Sequence, residues 1–379
     1  MNLIEYYLSR TFLTICGWFF SVCPIDQKKV VFASARGNAP TGNLAALKNA
    51  YQTAYPHGHY IELFQTYSYG FAGKISYLLS LVKTTYHLKT ARYFFIDNAL
   101  FPVHVVKHKA GTTVIQVWHA TGALKRFGLD TDVADRKVEN RFLHKGYDYV
   151  IADSELTKAA YTTAFGVDEA HVALLGSART DALLATDART EARAKLAELH
   201  PALAEKTILL YAPTFRGFSA NKRAAQSLNS SLLKKKLGSQ YALVYKPHAV
   251  VTPQEAQAFD YVLDAHCDIN TYLAGFDGLI TDYSSVLFEA ALCGIPVFKL
   301  CGDIEKYRAM NGFYLDYLHE IPGDNCASTE ELVHALQEKT LPLALNSGQR
   351  LAYKDFCARY CTFSDGNVCA RYLEKFPLN

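Results

Sequence analysis

Ten short runs of β-branched, aromatic and aliphatic residues recur along the chain, with helical stretches between them. Five lie in the first half, at residues 30–33, 60–64, 93–96, 114–118 and 149–152; five lie in the second, at 207–211, 241–246, 261–264, 278–281 and 296–300. These runs are apolar at successive positions, so both faces of each strand need covering, which parallel sheets flanked by helices provide. The expectation is an α/β fold in two similar halves, although no internal sequence repeat is present. An Ala-, Leu-, Glu- and Arg-rich stretch at 180–205, ending in His200-Pro201, reads as the connecting helix and the boundary. Length agrees, because 379 residues at about 150 per domain make about two domains. With 50% hydrophobic residues, 20% charged, 22 Gly and 12 Pro, collagen-like, low-complexity and disordered chains are excluded. In such folds ligands bind beyond the carboxyl ends of strands, here in the cleft between the halves.

Nine cysteines are scattered, and none forms a C-x-x-C pair, so reduced thiols in a cytosolic chain are expected, with no metal site. The net charge of +3 conceals an asymmetry: residues 1–110 carry 11 Lys and Arg against 4 Asp and Glu, and the remainder 28 against 32. A basic face attracts nucleic acid, anionic lipid or a phosphorylated substrate. The Tyr, Phe and Leu content of the same region favours lipid, and no nucleic-acid partner is expected. The best apolar run, residues 11–25, has 15 residues, short of the roughly 20 that span a bilayer. A secretory signal is not expected, because no positive n-region precedes the run and Asp26, Lys28 and Lys29 follow it without a small-residue cleavage site. What remains is a helix lying in a membrane interface, anchored by Trp18, Phe19 and Phe20 with Lys28 and Lys29 at the headgroups. A helix packed on its own domain is the alternative. Residues 71–92 read as a second amphipathic helix, with Ile75, Leu78, Leu79, Leu81 and Val82 as the stripe and Lys74, Lys83, Lys89 and Arg92 as a basic rim; such a helix covers a core or touches a membrane.

Chemistry should sit on loops that follow strands, and four stand out. In Gln116-Val117-Trp118-His119-Ala120-Thr121-Gly122-Ala123-Leu124-Lys125-Arg126 a strand runs into a histidine, a candidate general base that is equally readable as a structural, hydrogen-bonded residue. Leu210-Tyr211-Ala212-Pro213-Thr214-Phe215-Arg216 supplies a hydroxyl and a guanidinium, suited to an anion or to an ordinary salt bridge. Tyr245-Lys246-Pro247-His248 adds a second histidine and a lysine. In the fourth, residues 278–290, a strand ends at Thr281, and Ser284 or Ser285 can cap a helix whose free N–H groups suit phosphate. Glu289, one turn deeper, can accept from a ribose diol, and Asp282 is the fallback base; a plain N-cap with a solvated Glu is the bland alternative.

Taken together and in this order, WHATGALKRFG, GSARTD (residues 176–181), YAPTFRG, YKPH, DINTYL (268–273) and ITDYSSVLFEAALCGIPV, ending with DGNVCARYLEK, resemble the CDP-glycerol glycerophosphotransferases of teichoic-acid synthesis over residues 30–375. The resemblance implies a glycosyltransferase-B-like architecture of two Rossmann-type domains. A membrane-associating helix at 1–28 would precede an acceptor- and membrane-binding domain at 29–185 and a donor-binding domain at 200–379. It implies CDP-glycerol as donor, a lipid-linked (undecaprenyl-diphosphate disaccharide) acceptor, no cofactor, and a peripheral place on the cytoplasmic face of the cell membrane. By resemblance the catalytic pair is His119, the family's proposed base in W-H, and His248, its donor-phosphate histidine. The serines of T-D-Y-S-S fall on Ser284 and Ser285, and the acidic position on Glu289; with that resemblance Thr214, Arg216, Lys246 and Asp282 are expected to join the donor contacts, and Thr121 and Lys125 to lie on the acceptor side. Departures are Trp118-His119-Ala120-Thr121-Gly122, where many members read W-H-G-T-P, and Lys246-Pro247-His248-Ala249, where many carry an Arg-rich or H-P-type loop. A first strand near Lys29 matches the short, primase-like type, which adds one glycerol phosphate. CDP-ribitol users and capsule enzymes share the motifs. The competing readings are a nucleotide-sugar glycosyltransferase of the same fold and an inert membrane-bound scaffold.

Overall fold

The computed structural model describes residues 3–64, 70–131, 143–217, 223–224, 228–248 and 259–378. The chain divides into two compact units, one of Met1–Ala120, Phe127–Asp181 and Phe363–Asn379, the other of Thr121–Arg126 and Ala182–Thr362.

In the first unit β1 (Asp26–Ser34), β2 (His59–Phe64), β3 (Ala91–Ile96), β4 (Thr113–Gln116), β5 (Tyr149–Ala152) and β6 (Val172–Leu174) form a parallel sheet in the order β2-β1-β3-β4-β5-β6. Every residue from Lys29 to Ser34 is buried, as a sheet covered on both faces requires. Phe32 stacks on Phe95 at 5.6 Å. Leu44, Leu47 and Tyr51 of helix Gly42–Ala54 join the same core cluster as Tyr372 and Phe376 near the carboxyl end of the chain. Helix Val368–Lys375 is held there by Asp181, whose carboxylate accepts from the N–H of Val368 (2.9 Å) and Cys369 (2.8 Å). Gly176 has φ +91°, and a Cβ on it would lie 2.1 Å from the Phe363 carbonyl oxygen, so no other residue fits. GSARTD and DGNVCARYLEK are therefore two halves of one packing clamp.

The second unit contains β7 (Thr207–Tyr211), a small antiparallel ribbon of β8 (Phe215–Arg216) and β9 (Arg223–Ala224), then β10 (Tyr241–Tyr245), β11 (Tyr261–Val262), β12 (Gly278–Thr281), β13 (Val297–Leu300) and β14 (Asp324–Cys326). Its parallel sheet runs β11-β10-β7-β12-β13-β14. Numbered within the unit this is the order 3-2-1-4-5-6 of nucleotide-binding sheets, which reverses between β7 and β12. The first sheet reverses between β1 and β3. Buried Asp277 ties helix Ala188–Leu199 to this sheet, accepting from Arg189 Nη2 (2.6 Å), Arg193 Nη1 (3.0 Å) and the N–H of Ile208 (2.7 Å).

The contiguous ranges expected from sequence, 29–185 and 200–379, differ from these units at two places. Residues 121–126 belong to the second unit because Leu124 enters its core, the Leu124 carbonyl accepts from Tyr314 N–H (3.0 Å), and Arg126 N–H donates to Gly312 (3.3 Å). Residues 363–379 belong to the first unit through the clamp just described.

Helices Leu3–Phe20 and Phe71–Thr90 pack on each other in the first unit. The former buries Tyr6, Leu13 and Gly17, and a Cβ on Gly17 would lie 2.6 Å from Val106 Cγ1. Its other side leaves Trp18 72% and Phe19 61% exposed, while Phe20 packs edge-on against Tyr86 at 5.4 Å. The second helix is inside out relative to an ordinary amphipathic helix: Thr84, Thr85, His87, Lys89 and Thr90 are buried, whereas Ile75, Leu78 and Leu79 face solvent, Leu79 at 65%. Two sequence readings are corrected here. Lys29 is buried and donates to Thr90 Oγ1 (2.9 Å), and Lys89 is likewise buried, so neither can serve as an exposed basic headgroup ligand. Among the described residues no helix is long and apolar enough to cross a membrane.

Candidate functional site

At the reversal point of the second sheet, loops leave the carboxyl ends of the three consecutive strands β10, β7 and β12, and they carry every donor-side residue flagged in the sequence except Glu289. The β7 and β12 ends are stitched together: Thr281 Oγ1 donates to the Ala212 carbonyl (2.7 Å), and Asp282, wholly buried, accepts from Thr214 N–H (2.7 Å) and Arg216 Nη1 (2.8 Å). Arg216 also grips Asp303 in a fork (2.7 and 3.1 Å), donates to Thr214 Oγ1 (3.1 Å), and lies 5.0 Å from the ring centres of Tyr283 and Tyr307. Burial opposes the Arg216 charge, but the bonds to Asp303 and Asp282 outweigh it and raise its pKa. Burial alone would raise the Asp303 pKa, yet Arg216 and the Tyr283 hydroxyl (2.8 Å) hold it below its ordinary value. Thr214, Arg216 and Asp282 thus converge as sequence reading expected, but as an internally paired network. Asp282 has no open face from which to act as a base.

From Leu273 to Ala291 every residue is buried except Ser284 and Ser285. Ser285 begins helix Val286–Leu292 without a side-chain cap, Ser284 Oγ accepts from Val286 N–H at a long 3.4 Å, and both serines are half-buried, the part of this stretch that reaches the surface. On the β10 loop Lys246 turns inward, its ammonium donating to the carbonyls of Ala265 (2.7 Å) and Pro247 (3.1 Å), while the half-buried His248 sits edge-on to Phe215 at 4.9 Å. Burial lowers the Lys246 pKa.

Glu289 and the residues expected on the acceptor side, Thr121 and Lys125, all belong to the second unit. Glu289 is 1% exposed and its Oε1 accepts from Thr121 Oγ1 (2.9 Å), because its helix is buried from Val286 to Ala291. Thr121 and Lys125 belong to the second unit, which bears the expected donor loops. Beside them Gly122, at φ +64°, lies so close to Phe288 that a Cβ would come within 2.5 Å of its ring. Lys125 lies over the Tyr307 ring (5.9 Å), and burial pulls its pKa down to about 8 against the attraction of Asp282.

His119 lies in the first unit, after β4, near the end of β3. Trp118 precedes it with a left-handed φ of +54°, unusual for a bulky residue. The strain is held by Asn43 Nδ2 donating to the carbonyls of Val117 and Trp118 (3.1 Å each), by Gln116 Oε1 accepting from Trp118 N–H (2.9 Å), and by stacking on Phe127 (4.6 Å). His119 Nδ1 lies 2.8 Å from the Asp97 carbonyl oxygen. A carbonyl only accepts, so Nδ1 carries a proton, which in the neutral imidazole makes Nε2 the basic nitrogen. Burial pushes the Asp97 carboxyl up, opposed by Ser34 and Arg36. Sequence reading missed Asn43, Asp97, Tyr283, Asp303 and Tyr307. Asp97 and Asp303 each follow a strand closely, the rule that flagged the four loops.

Two α/β units, the second with the nucleotide-fold strand order and the serine loop at its reversal point, define a glycosyltransferase-B-like fold. The wall teichoic acid polymerase TagF shares that fold, with a TM-score of 0.76 and 21% identity over 99% of this chain and 98% of that one. The sequence is more specific: the model of the CDP-Glycerol:Poly(glycerophosphate) glycerophosphotransferase family matches residues 17–375, and the chain belongs to that family. It is similar to the teichoic acid ribitol-phosphate primase of Bacillus spizizenii, 30% identical over 93% of this chain and 92% of the relative. It is also similar to the teichoic acid glycerol-phosphate primase of Bacillus subtilis, 29% identical over 78% and 76%.

Proposed function

We propose that the protein transfers glycerol phosphate from CDP-glycerol to a hydroxyl of a membrane lipid-linked acceptor, an undecaprenyl-diphosphate disaccharide, in wall teichoic acid synthesis, releasing CMP. The observation that carries the reading is the serine pair: in a stretch otherwise wholly buried, the two hydroxyls that surface stand at the reversal point of the nucleotide-type sheet. Ser284, Ser285 and His248 bind the donor diphosphate, each charge-assisted hydrogen bond contributing about 1.5–3 kcal/mol. The acceptor oxygen attacks the β-phosphorus, its proton passes to His119 Nε2, and the bond from that phosphorus to CMP breaks, CMP leaving with the electron pair. An imidazole base of this kind accelerates transfer by about 10²–10⁴-fold. Thr214, Arg216 and Asp282 act as positioning residues that hold the serine loop, Lys246 holds the His248 loop, and Glu289 with Thr121 fastens the segment of residues 121–126.

Match over nearly the whole length of a primase supports the primase-like type, which adds a single unit. The same match favours CDP-ribitol as a second reading of the polyol. The protein is assigned to the cytoplasmic membrane face as a peripheral protein on the apolar surface of Trp18, Phe19, Ile75 and Leu79. Incubation with CDP-glycerol, CDP-ribitol or UDP-sugars and a lipid-linked disaccharide tests the reading through nucleotide release. CMP from a CDP-polyol supports it, UDP release supports the glycosyltransferase, and no release from any donor supports the scaffold.

A further inference from the structure

Arg216 is the cation that the sequence offers most openly to the donor's diphosphate, and the structure commits it elsewhere. Its guanidinium is bonded to Asp303, Asp282 and Thr214 and lies beside the stacked rings of Tyr283 and Tyr307, 5.0 Å from each centre. Lys246, the next candidate, donates to two backbone carbonyls. A diphosphate bound at this sheet reversal therefore needs another positive group.

Lys125 is placed for that role. Its backbone bridges to Phe313, with Leu124 and Arg126 bonded to Tyr314 and Gly312, so the lysine is fixed on the second unit. The side chain is half-buried over Tyr307 and lies in the field of Asp282 and Arg216. Among the described residues no carboxylate forms an ion pair with its ammonium, although Asp282 attracts it; Asp282 is itself engaged by Thr214 and Arg216. An ammonium partly stripped of water, whose attracting carboxylate Asp282 is already engaged by Thr214 and Arg216, is disfavoured in the free protein and becomes favourable when an anion arrives.

We propose that Lys125 is a donor-phosphate-binding residue, which receives the negative charge of the diphosphate at the β7–β12 end of the second sheet. This rests on the donor reading above. The groups facing the ammonium are Asp282 from the β12 loop, Arg216 from β8 and the Tyr307 ring from helix Ile304–Asn311, the Tyr307 phenol being kept neutral by burial. Because the free ammonium titrates near pH 8, donor affinity falls as pH rises through that value, by up to tenfold per pH unit until the pKa of the complex is reached.

The test is calorimetric binding of CDP-glycerol, UDP, cytidine and inorganic pyrophosphate to wild type, Lys125→Met and Lys125→Arg, with thermal unfolding of each protein. Lys125→Met should weaken CDP-glycerol about tenfold to hundredfold, leave cytidine unchanged, and flatten the pH dependence near 8. It should also melt no lower than wild type, because the desolvation of the ammonium is relieved, whereas a structural lysine would lower the melting temperature. Lys125→Arg should retain affinity with no fall near pH 8. Equal affinity of wild type and Lys125→Met for CDP-glycerol overturns the assignment and leaves the donor reading intact. Lys125-dependent binding of UDP or pyrophosphate with none of CDP-glycerol keeps the anion site and overturns the donor. Binding of no phosphate-bearing ligand overturns both.

Discussion

The two sheet reversals solve the same problem in opposite ways. In the second unit Asp282 closes β12, and its charge, with those of Arg216 and Asp303, is consumed inside the fold, so that the groups reaching the surface are the neutral hydroxyls of Ser284 and Ser285. In the first unit Asp97 closes β3, yet it is the Asp97 backbone carbonyl that orients His119, and the carboxylate keeps Oδ1 buried without a hydrogen bond among the described residues. One cluster is rigid through ion pairs; the other is rigid through a strained backbone at Trp118 braced by Asn43. Arg216, Asp282 and Asp303 thus read as ligands in the sequence and work as scaffolding in the fold.

Breaking the ion-pair network should have the largest effect. Arg216→Met leaves Asp282 buried and half-satisfied, and urea unfolding should show a loss of about 3–5 kcal/mol. A loss below about 1 kcal/mol would return Arg216 to the donor site. Acid sharpens the same point. Asp303 has a folded pKa below its unfolded value, so its contribution is present above the unfolded value and is lost as pH falls through the lower folded one. Wild type should therefore lose more stability than Arg216→Met on acidification below about pH 4.

The bracing in the first unit comes next. Asn43→Ala removes two buried donors from the Val117 and Trp118 carbonyls and should cost about 1–3 kcal/mol. Turnover should fall while donor affinity is retained, because Trp118 and His119 lose their fixed backbone. A change confined to donor affinity would place the effect in the wrong unit. The smallest effect on the fold should come from the exposed apolar surface. Trp18→Glu and Leu79→Glu should change stability by no more than about 0.5 kcal/mol and lower partition onto anionic liposomes about tenfold; undiminished partition would remove that surface from the membrane. These substitutions are cleaner than deleting residues 1–23, which would strip away the buried Tyr6, Leu13 and Gly17.

Central strands were legible because Val30–Ala33 and Ile208–Tyr211, buried on both faces, carry apolar or aromatic residues at successive positions. The edge strands Val172–Leu174 and Asp324–Cys326 escaped notice, being three residues each and, in the second case, mostly polar. Loop positions were legible for the same reason as the strands they follow, and a family resemblance singled out His119, His248 and the serines. What residue types could not tell is which partner consumes which charge. Arg216 in isolation suits phosphate, and only the tertiary approach of Asp303, twenty residues beyond Tyr283, commits it. Likewise the membership of residues 121–126 in the second unit depends on Leu124 reaching a core built largely from residues after 180.

The central claim is a division of labour, with the proton acceptor on the first unit and the donor site on the second, and one paired measurement addresses it: kcat and the CDP-glycerol dissociation constant for His119→Ala and for Ser284→Ala/Ser285→Ala. His119→Ala should lose about 10²–10⁴-fold in kcat with donor affinity within about twofold of wild type. The double serine variant should bind donor at least tens-fold more weakly. If His119→Ala keeps most of its turnover or loses only donor affinity, or if the serine variant binds CDP-glycerol as wild type does, the division of labour is wrong.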